Sequence, residues 1–264
     1  MAEGTESGNR PEDESPEAIS VVVKFKVEGD ARYLSHAETL RVFQRACARA
    51  KIAVQYNRGF NPRPRLSLPL PRSVGVVSDD ERLCIRVSGE SDLVPGGQRA
   101  VEYESRARAA MSEQLPMGLE LLSAKLVRTG TRLQPSTARY VLLVRRGPEA
   151  RDCLSDILMA RAKLLLDSKS LFITRKSEPA ERGKRGVAKK KDVRPFLRSI
   201  ELNERQVDAR CGEEHPVVEI LVECKISPAG SIRVDEILQL LELDQEKLAL
   251  PVRRTNVQWE EHES

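Results

Sequence analysis

The sequence lacks the clustered cysteines and histidines that bind metal ions. It contains five cysteines and three histidines in 264 residues, and no two cysteines are spaced as C-x-x-C. Because zinc sites and iron–sulfur clusters need several such side chains at short spacing, the sequence predicts neither a metal site nor a bound cofactor. The cysteines are odd in number, widely spaced and mostly set among apolar residues, which is typical of buried, reduced thiols.

Long apolar runs and the common catalytic motifs are also missing. No segment is long enough to span a membrane, and no apolar signal-peptide core follows Met1, which predicts a cytoplasmic protein without a membrane partner. The chain has no glycine-rich phosphate loop, no paired carboxylates and no nucleophile–base arrangement. These absences disfavour an enzyme but leave that interpretation open.

Charge is distributed unevenly along the chain. Residues 1–17 carry six acids against Arg10 alone, and this acidic leader, residues 1–18, is predicted to be disordered. The formal net charge of +4 rises to +9 once the −5 of the leader is removed. A basic folded region fits a nucleic acid or an acidic protein as partner, and a solvated basic surface is the simpler alternative.

The order of predicted elements indicates the fold class. Strands are predicted over residues 19–28, 52–56, 66–70, 82–87 and 119–127, and helices from the Ser35 cap and over residues 100–115. A looser version of the same β-α-β-β-α-β order follows in strands 140–144, 170–175, 193–201, 217–226 and 252–259 and helices 148–160 and 234–241. This order predicts an α+β fold of two tandem ferredoxin-like (split β-α-β) halves with antiparallel sheets, residues 19–130 and 136–264.

The stretch from Tyr33 to Ser78 holds most of the candidate binding residues. Ser35 and Glu38 have the spacing of a capping box, and the helix that they begin is predicted to bury Leu40, Phe43, Cys47 and Ala50. A basic stripe on another face of this helix comprises Arg41, Arg45 and Arg49.

A basic, proline-bearing loop follows the helix. Pro62 and Pro64 restrict its backbone, Gly59 is expected to have a positive φ, and Asn61 is expected to brace the loop. Aromatic residues are only 4% of the chain, and Phe25, Phe43 and Phe172 are predicted to lie in the core. The candidates for stacking on a base are therefore Tyr56 and Phe60, with Phe60 as a hydrophobic plug of the loop being the alternative. The cations available to a phosphate are Arg58, Arg63 and Arg65.

A second basic segment, residues 176–194, has eight basic residues against three acids. It lies between two predicted strands, so it is predicted to be an exposed hairpin arm that tracks a phosphate backbone. Its candidate contacts are Lys184, Arg185, Lys189, Lys190, Lys191 and Arg194. A merely solvated loop is the alternative.

One histidine lies in a suggestive place. His36, at the first turn of the capped helix, is a weak candidate for a general base acting on a ribose hydroxyl. A structural histidine is the favoured interpretation.

Several residues of the capped helix and the basic loop, together with two later segments of the chain, resemble the signature of the radical SAM-linked protein family. Members of that family are similar to domains fused to, or encoded beside, radical SAM enzymes, often near genes for an E/G-type ribonuclease and ribosomal proteins. The resemblance implies a radical SAM enzyme as partner, which would hold the iron–sulfur cluster that this chain lacks. In this sequence Arg63 stands where the family is expected more often to have histidine. The residues that carry the resemblance are Ser35, His36, Arg41, Arg45, Gly59, Phe60, Asn61, Pro62, Pro64, Arg65, Ser67, Gly75, Ser78, Asp192 to Leu197 and Arg253 to Thr255.

Three functions remain open on the sequence alone. The leading hypothesis is a non-catalytic RNA-binding module, for tRNA or rRNA, that serves a radical SAM partner. The first alternative is a protein–protein adaptor that docks on the radical SAM enzyme or on an E/G-type ribonuclease. The second alternative is a metal-independent RNA-processing enzyme that uses His36.

Overall fold

The structure, a computed structural model, describes residues 19–88, 93–128, 130–146, 153–176, 188–208 and 214–262. The predicted disorder of the acidic leader lies outside the described residues. No helix in the described part of the chain is both long enough and apolar enough to cross a membrane.

The N-terminal half contains four strands and two helices in the described residues. They are β1 (Ile19–Val27), α1 (His36–Arg49), β2 (Leu66–Ser67), β3 (Val77–Val87), α2 (Gln98–Ser112) and β4 (Leu119–Arg128).

The C-terminal half, again over the described residues, contains six strands and two helices. They are β5 (Arg132–Arg145), α3 (Leu154–Asp167), β6 (Phe172–Lys176), β7 (Ala188–Asp192), β8 (Leu197–Asp208), β9 (Glu214–Lys225), α4 (Val234–Leu240) and β10 (Arg253–His262). Short 3-10 turns cover Gly29–Tyr33, Arg194–Phe196 and Gln245–Lys247.

The start of α1 confirms the predicted capping box. The Ser35 hydroxyl accepts from the Glu38 amide at 3.3 Å, and the Glu38 carboxylate accepts from the Ser35 amide at 2.9 Å. Phe43 and Cys47 are buried as predicted, and Phe43 packs edge-to-face on Phe25 with ring centroids 4.7 Å apart. Leu40 and Ala50 are only half-buried, because the buried face is shifted toward Thr39 and Ala46.

One large, mostly antiparallel sheet runs through both halves in the order β4-β1-β3-β10-β5-β9-β8, and β2 pairs with β3 beside this path. The α+β class is therefore confirmed. Two tandem ferredoxin-like halves are not confirmed as such, because the strands of both halves join in this one sheet. The join is a short parallel pairing in which Arg253 and Arg254 of β10 lie beside Val77 and Ser78 of β3.

Two hydrophobic clusters lie against this sheet. One is built from residues 19–126, and the other from residues 138–257 together with Leu70 and Val76. In β1 the predicted alternation is confirmed, because Val21, Val23 and Phe25 are buried whereas Lys24 is partly exposed. The placement of a domain boundary near residues 130–136 stays a prediction.

Several predicted elements differ from the structure. Residues 52–56 do not form a regular strand but make isolated bridges, Val54 with Val87 and Tyr56 with Pro64, because this segment bonds to β3 only near its end, at residues 86–88. Helix α3 continues to Asp167 rather than ending at residue 160. Phe172 was predicted to be buried but is exposed, and its neighbour Ile173 occupies the core instead.

Candidate nucleic-acid interface

The basic loop after α1 is a small hairpin fixed to the edge of β3; we call residues 55–65 the arginine loop. Within it the Asn57 amide donates to the Arg63 carbonyl at 2.9 Å, and the Arg65 amide donates to the Gln55 carbonyl at 2.8 Å. Its base is tied to Arg86 near the end of β3, since the Gln55 amide donates to the Arg86 carbonyl and the Arg86 amide to the Arg65 carbonyl. The tip, residues 58–62, therefore projects from an anchored stem.

The tip is braced by a side chain of the stem. The Asn57 Oδ1 accepts from the Arg63 amide at 2.5 Å. This bracing was predicted for Asn61, which is exposed instead. Gly59 has a φ of +152°, which confirms the predicted positive φ, and residues with a side chain rarely adopt that conformation.

The aromatic side chains of the arginine loop face solvent. Phe60 has a relative exposure of 107%, and Tyr56 one of 55%. The interpretation of Phe60 as a hydrophobic plug is therefore wrong, because its ring contacts no core. A lone exposed aromatic is common on protein surfaces, but this ring lies at the tip of a braced loop among arginines.

The positive charges of the loop have no acidic residue near them in sequence. No Asp or Glu occurs between Tyr56 and Arg72. The Arg63 side chain is exposed and makes no bond within the described residues, and Arg65 is half-buried. The geometry thus presents Arg63 to a partner, with Arg58 on the same tip.

The predicted basic stripe on α1 is solvent-exposed. Arg41, Arg45 and Arg49 all face solvent, and the Arg45 Nε donates to the Arg41 carbonyl one turn back, at 3.3 Å. Helix α1 packs beside β2, the strand into which the arginine loop leads. The stripe can therefore add charge to the same half of the molecule.

The basic arm is divided between exposed and structural cations. Strands β6 and β7 form a hairpin, although β7 lies in the segment that was predicted to be a loop between strands. Lys189 and Lys190 are exposed on this hairpin. The Lys191 Nζ donates to the Ala229 carbonyl at 2.8 Å and lies over the Phe196 ring. Lys184 and Arg185 lie outside the described residues.

Arg194, at the end of the arm, holds backbone rather than facing solvent. Its guanidinium donates to the carbonyls of Leu166 at 2.6 Å, Ser168 at 3.0 Å and Leu197 at 2.8 Å. These bonds tie the end of α3 to the start of β8. The structure therefore gives Arg194 an architectural role.

His36 is exposed at the start of α1 and lines a small cavity with Thr39, Arg72 and Glu81. The Glu81 carboxylate is hydrogen-bonded by the Arg254 guanidinium. Arg72 donates to five backbone carbonyls, those of Ala31, Arg32, Leu34, Ser73 and Val76. Because both charged neighbours of His36 are already engaged, the geometry does not favour a catalytic site here.

The engaged groups belong to a buried network at the join of the two halves. Arg254 is 1% exposed. In addition to Glu81, its guanidinium donates to the Ser78 hydroxyl and the Pro71 carbonyl, each at 3.5 Å. Burial acts to lower the pKa of Arg254, but the nearby Glu81 carboxylate and Tyr140 outweigh it and raise that pKa. Burial likewise raises the pKa of the Tyr140 hydroxyl and lowers the pKa of Arg72.

Sequence reasoning missed this network because each member lies in a different element. Arg254 belongs to β10, Tyr140 to β5 and Glu81 to β3, while Arg72 lies before β3. The available signal was an acid at position 81, directly before the strand predicted over residues 82–87, because an acid that becomes buried beside a strand needs a partner. That signal does not say which arginine supplies it.

A cleft of about 640 Å³ lies where the halves meet. Arg32, Tyr33 and Gly75 form one side, and Arg145 and residues 248–252 form the other. In the described structure its lining includes none of the predicted binding residues. The cleft therefore does not coincide with the predicted binding residues that the structure describes.

This chain belongs to a bacterial family described as an uncharacterized protein conserved in bacteria (DUF2344), whose model matches residues 20–233. The matched range includes the arginine loop and the basic arm but ends before β10. The family description states neither an activity nor a partner. No curated protein matches the chain.

Proposed function

We propose that this protein is a non-catalytic RNA-binding module whose specific contact is the arginine loop and whose partner is a radical SAM enzyme. The observation that supports it best is Phe60, fully exposed at the tip of a braced loop that carries arginines and no acid. The radical SAM partner, and tRNA or rRNA as the ligand, rest on the family resemblance of the motif residues.

The chemistry of the loop suits an unpaired base and its phosphate. One base stacked on an aromatic ring contributes about 1–3 kcal/mol to binding, and a guanidinium binds a phosphate or a guanine edge with two parallel hydrogen bonds. Sequence-specific RNA recognition mostly uses unpaired bases in loops and bulges. The base would stack on the Phe60 ring, and the phosphate would bind the Arg63 guanidinium.

The bracing of the loop adds to its suitability. Pro62, Pro64 and the Asn57 brace hold the tip before any ligand arrives, so less conformational entropy is lost on binding. A lysine side chain, with its flexible four-carbon stem and single charged nitrogen, loses more conformational entropy for each hydrogen bond that it forms. This difference makes the arginine loop, rather than the arm, the proposed source of selectivity.

We further interpret the two halves as tandem ferredoxin-like units fused at β3 and β10. The N-terminal strands run in the order β4-β1-β3-β2 and the C-terminal strands in the order β10-β5-β9-β8, all antiparallel within each half. The β6–β7 hairpin is then an insertion between α3 and β8. In this interpretation the arginine loop belongs to the first unit and the basic arm to the second.

The test begins with the RNA that co-purifies with the protein, identified by crosslinking and sequencing. Arg63→Ala combined with Arg65→Ala should leave the melting temperature unchanged and abolish the preference for that RNA over a scrambled competitor. Phe60→Ala should weaken binding without changing its salt dependence, because it removes stacking and no charge.

Arg108→Ala combined with Arg128→Ala is the matched control, since it removes two other exposed arginines. A loss of stability with the RNA preference retained would contradict the proposal. Recovery of a protein partner but no crosslinked RNA would favour the adaptor alternative, and a His36-dependent cleavage product would favour the enzyme.

A further inference from the structure

The two faces of the β6–β7 hairpin differ sharply. Ile173 is buried, and the Arg175 guanidinium binds the Glu236 carboxylate at 2.6 and 2.9 Å and the Ser231 carbonyl at 2.7 Å. Lys191 on β7 is held by the Ala229 carbonyl. This face fastens the hairpin to α4 and the turn before it.

The other face of the hairpin is open to solvent. Because side chains alternate along a strand, Phe172 and Thr174 point away from the packed face, and both are exposed. Phe172 has a relative exposure of 65%. On β7, Lys190 lies opposite Thr174 and shares this face.

The strand register places Phe172 and Lys190 at neighbouring positions on this face. Phe172 lies opposite Asp192, and Lys190 is two residues from Asp192, so Phe172 and Lys190 are diagonal neighbours. Diagonal pairs on one face are roughly 7–8 Å apart. The Asp192 Oδ1 is turned to the backbone, where it accepts from the Leu171 and Arg194 amides.

We propose that Phe172 and Lys190 form a second RNA contact, in which an unpaired base stacks on the Phe172 ring while Lys190 binds a neighbouring phosphate. This inference rests on the proposed RNA-binding function. It adds a sequence-independent contact to the selective one at the arginine loop, because every base has a stacking face and every nucleotide a phosphate.

The rigidity of the hairpin supports this role. Because the Arg175–Glu236 pair fixes β6, the backbone that carries the Phe172 ring is in place before a ligand binds. Lys190 makes no bond within the described residues, so it is available to a phosphate. The neighbouring exposed residue, Thr174, is small and polar, so the face is too limited in apolar area for the centre of a protein interface.

The test uses the full chain and a fluorescein-labelled oligouridylate, with affinity measured by fluorescence anisotropy over a range of salt. Phe172→Leu keeps the charge and the exposed position, and it should weaken binding roughly 5- to 100-fold with the salt slope unchanged. Lys190→Ser should lower the salt slope by about one.

Lys189→Ser is the matched control. Lys189 lies beside Lys190, has the same charge and lies opposite Arg175, on the alternate face of the hairpin. It should lower the slope less than Lys190→Ser does. Equal effects of the two lysine changes, or wild-type affinity of Phe172→Leu, would overturn the inference.

Failure of the inference can be told apart from failure of the proposed function. If arginine-loop variants lose RNA binding while Phe172→Leu binds like wild type, the second contact is refuted and the function stands. If the wild-type protein binds neither the oligouridylate nor any crosslinked RNA, both proposals are refuted.

Discussion

Two groups of arginines in this molecule have opposite surroundings. At the join of the halves, Arg254 and Arg72 are enclosed by a carboxylate, hydroxyls and backbone carbonyls. In the arginine loop, Arg63 is exposed beside the fully exposed Phe60. The first group uses its donors inside the protein, whereas the Arg63 side chain makes no bond within the described residues and can donate to a partner.

This difference shows that the number of positive charges in a segment does not locate a binding surface. Arg194 belongs to the basic arm by sequence, but three carbonyls take up its guanidinium. Lys190 is four residues earlier and faces solvent. What separates them is the number of acceptors that the fold places within reach. Four predictions test how far stability and binding depend on such internal partners.

The largest effect is expected at the join. Arg254→Met should lower the free energy of unfolding by about 3–5 kcal/mol, because it leaves the buried Glu81 carboxylate without its closest partner. Urea denaturation followed by circular dichroism measures this. Arg253→Met, whose guanidinium forms more exposed pairs with Asp79 and Glu28, should cost no more than about 1 kcal/mol.

A double variant keeps this prediction testable if Arg254→Met fails to fold. Arg254→Met combined with Glu81→Leu removes both charges and should recover much of the lost stability, since an apolar pair needs no hydrogen bonds. Equal stability of Arg254→Met and wild type would show that the join does not depend on this pair.

A smaller loss is expected at the end of the arm. Arg194→Ala should lower the free energy of unfolding by roughly 2–3 kcal/mol, because it leaves backbone carbonyls without the hydrogen bonds that the guanidinium donates. The RNA affinity of the folded protein should not change. The control is Arg198→Ala, an exposed partner of Glu223; weaker RNA binding by folded Arg194→Ala would make Arg194 a contact residue after all.

The third prediction concerns the brace of the arginine loop. Asn57→Ala should leave the melting temperature unchanged and weaken RNA binding roughly 2- to 10-fold, because the tip must then be ordered on binding. Amide hydrogen exchange gives the structural readout. The Arg63 amide should exchange faster, while the Arg65 amide, bonded to Gln55, serves as the unchanged reference.

The smallest effect is expected at Glu38, an exposed acid that is hydrogen-bonded to Ser35 at the start of α1. Its hydrogen bonds from the Ser35 hydroxyl and amide hold its pKa below the ordinary value of 4.5. A carboxyl with a lowered pKa in the folded state stabilises the protein above its unfolded pKa, and this stability is lost as the pH falls through the folded pKa. Glu38→Gln should therefore reduce the melting temperature slightly at neutral pH and not at strongly acidic pH.

The pH series also has an internal control. Glu113→Gln alters an exposed acid at the C-terminal end of α2, where a negative charge is not favourable, so it should not destabilise at any pH. A destabilisation of Glu38→Gln that persists unchanged in acid would show that the Glu38 charge is irrelevant to the cap.

Features that depend on neighbouring residues were predictable from the sequence. The α1 cap needs only Ser35 and Glu38, three residues apart, and the alternation in β1 needs only the period of a strand. The positive φ of Gly59 follows from a local turn requirement. The family match over residues 20–233 is likewise a property of the chain itself.

Only the tertiary structure decided which charged and aromatic side chains are free. Whether Arg194, Lys191 or Lys190 reaches solvent depends on carbonyls at residues 166, 168, 197 and 229. Phe172 and Ile173 are adjacent apolar residues of one strand, and the packing of the hairpin alone selects Ile173 for the core. The sequence by itself determined the local elements and the basic segments, because those follow from short-range spacing; the exposure of Phe60 and Phe172 and the burial of Arg254 follow from long-range contacts, which no local pattern specifies.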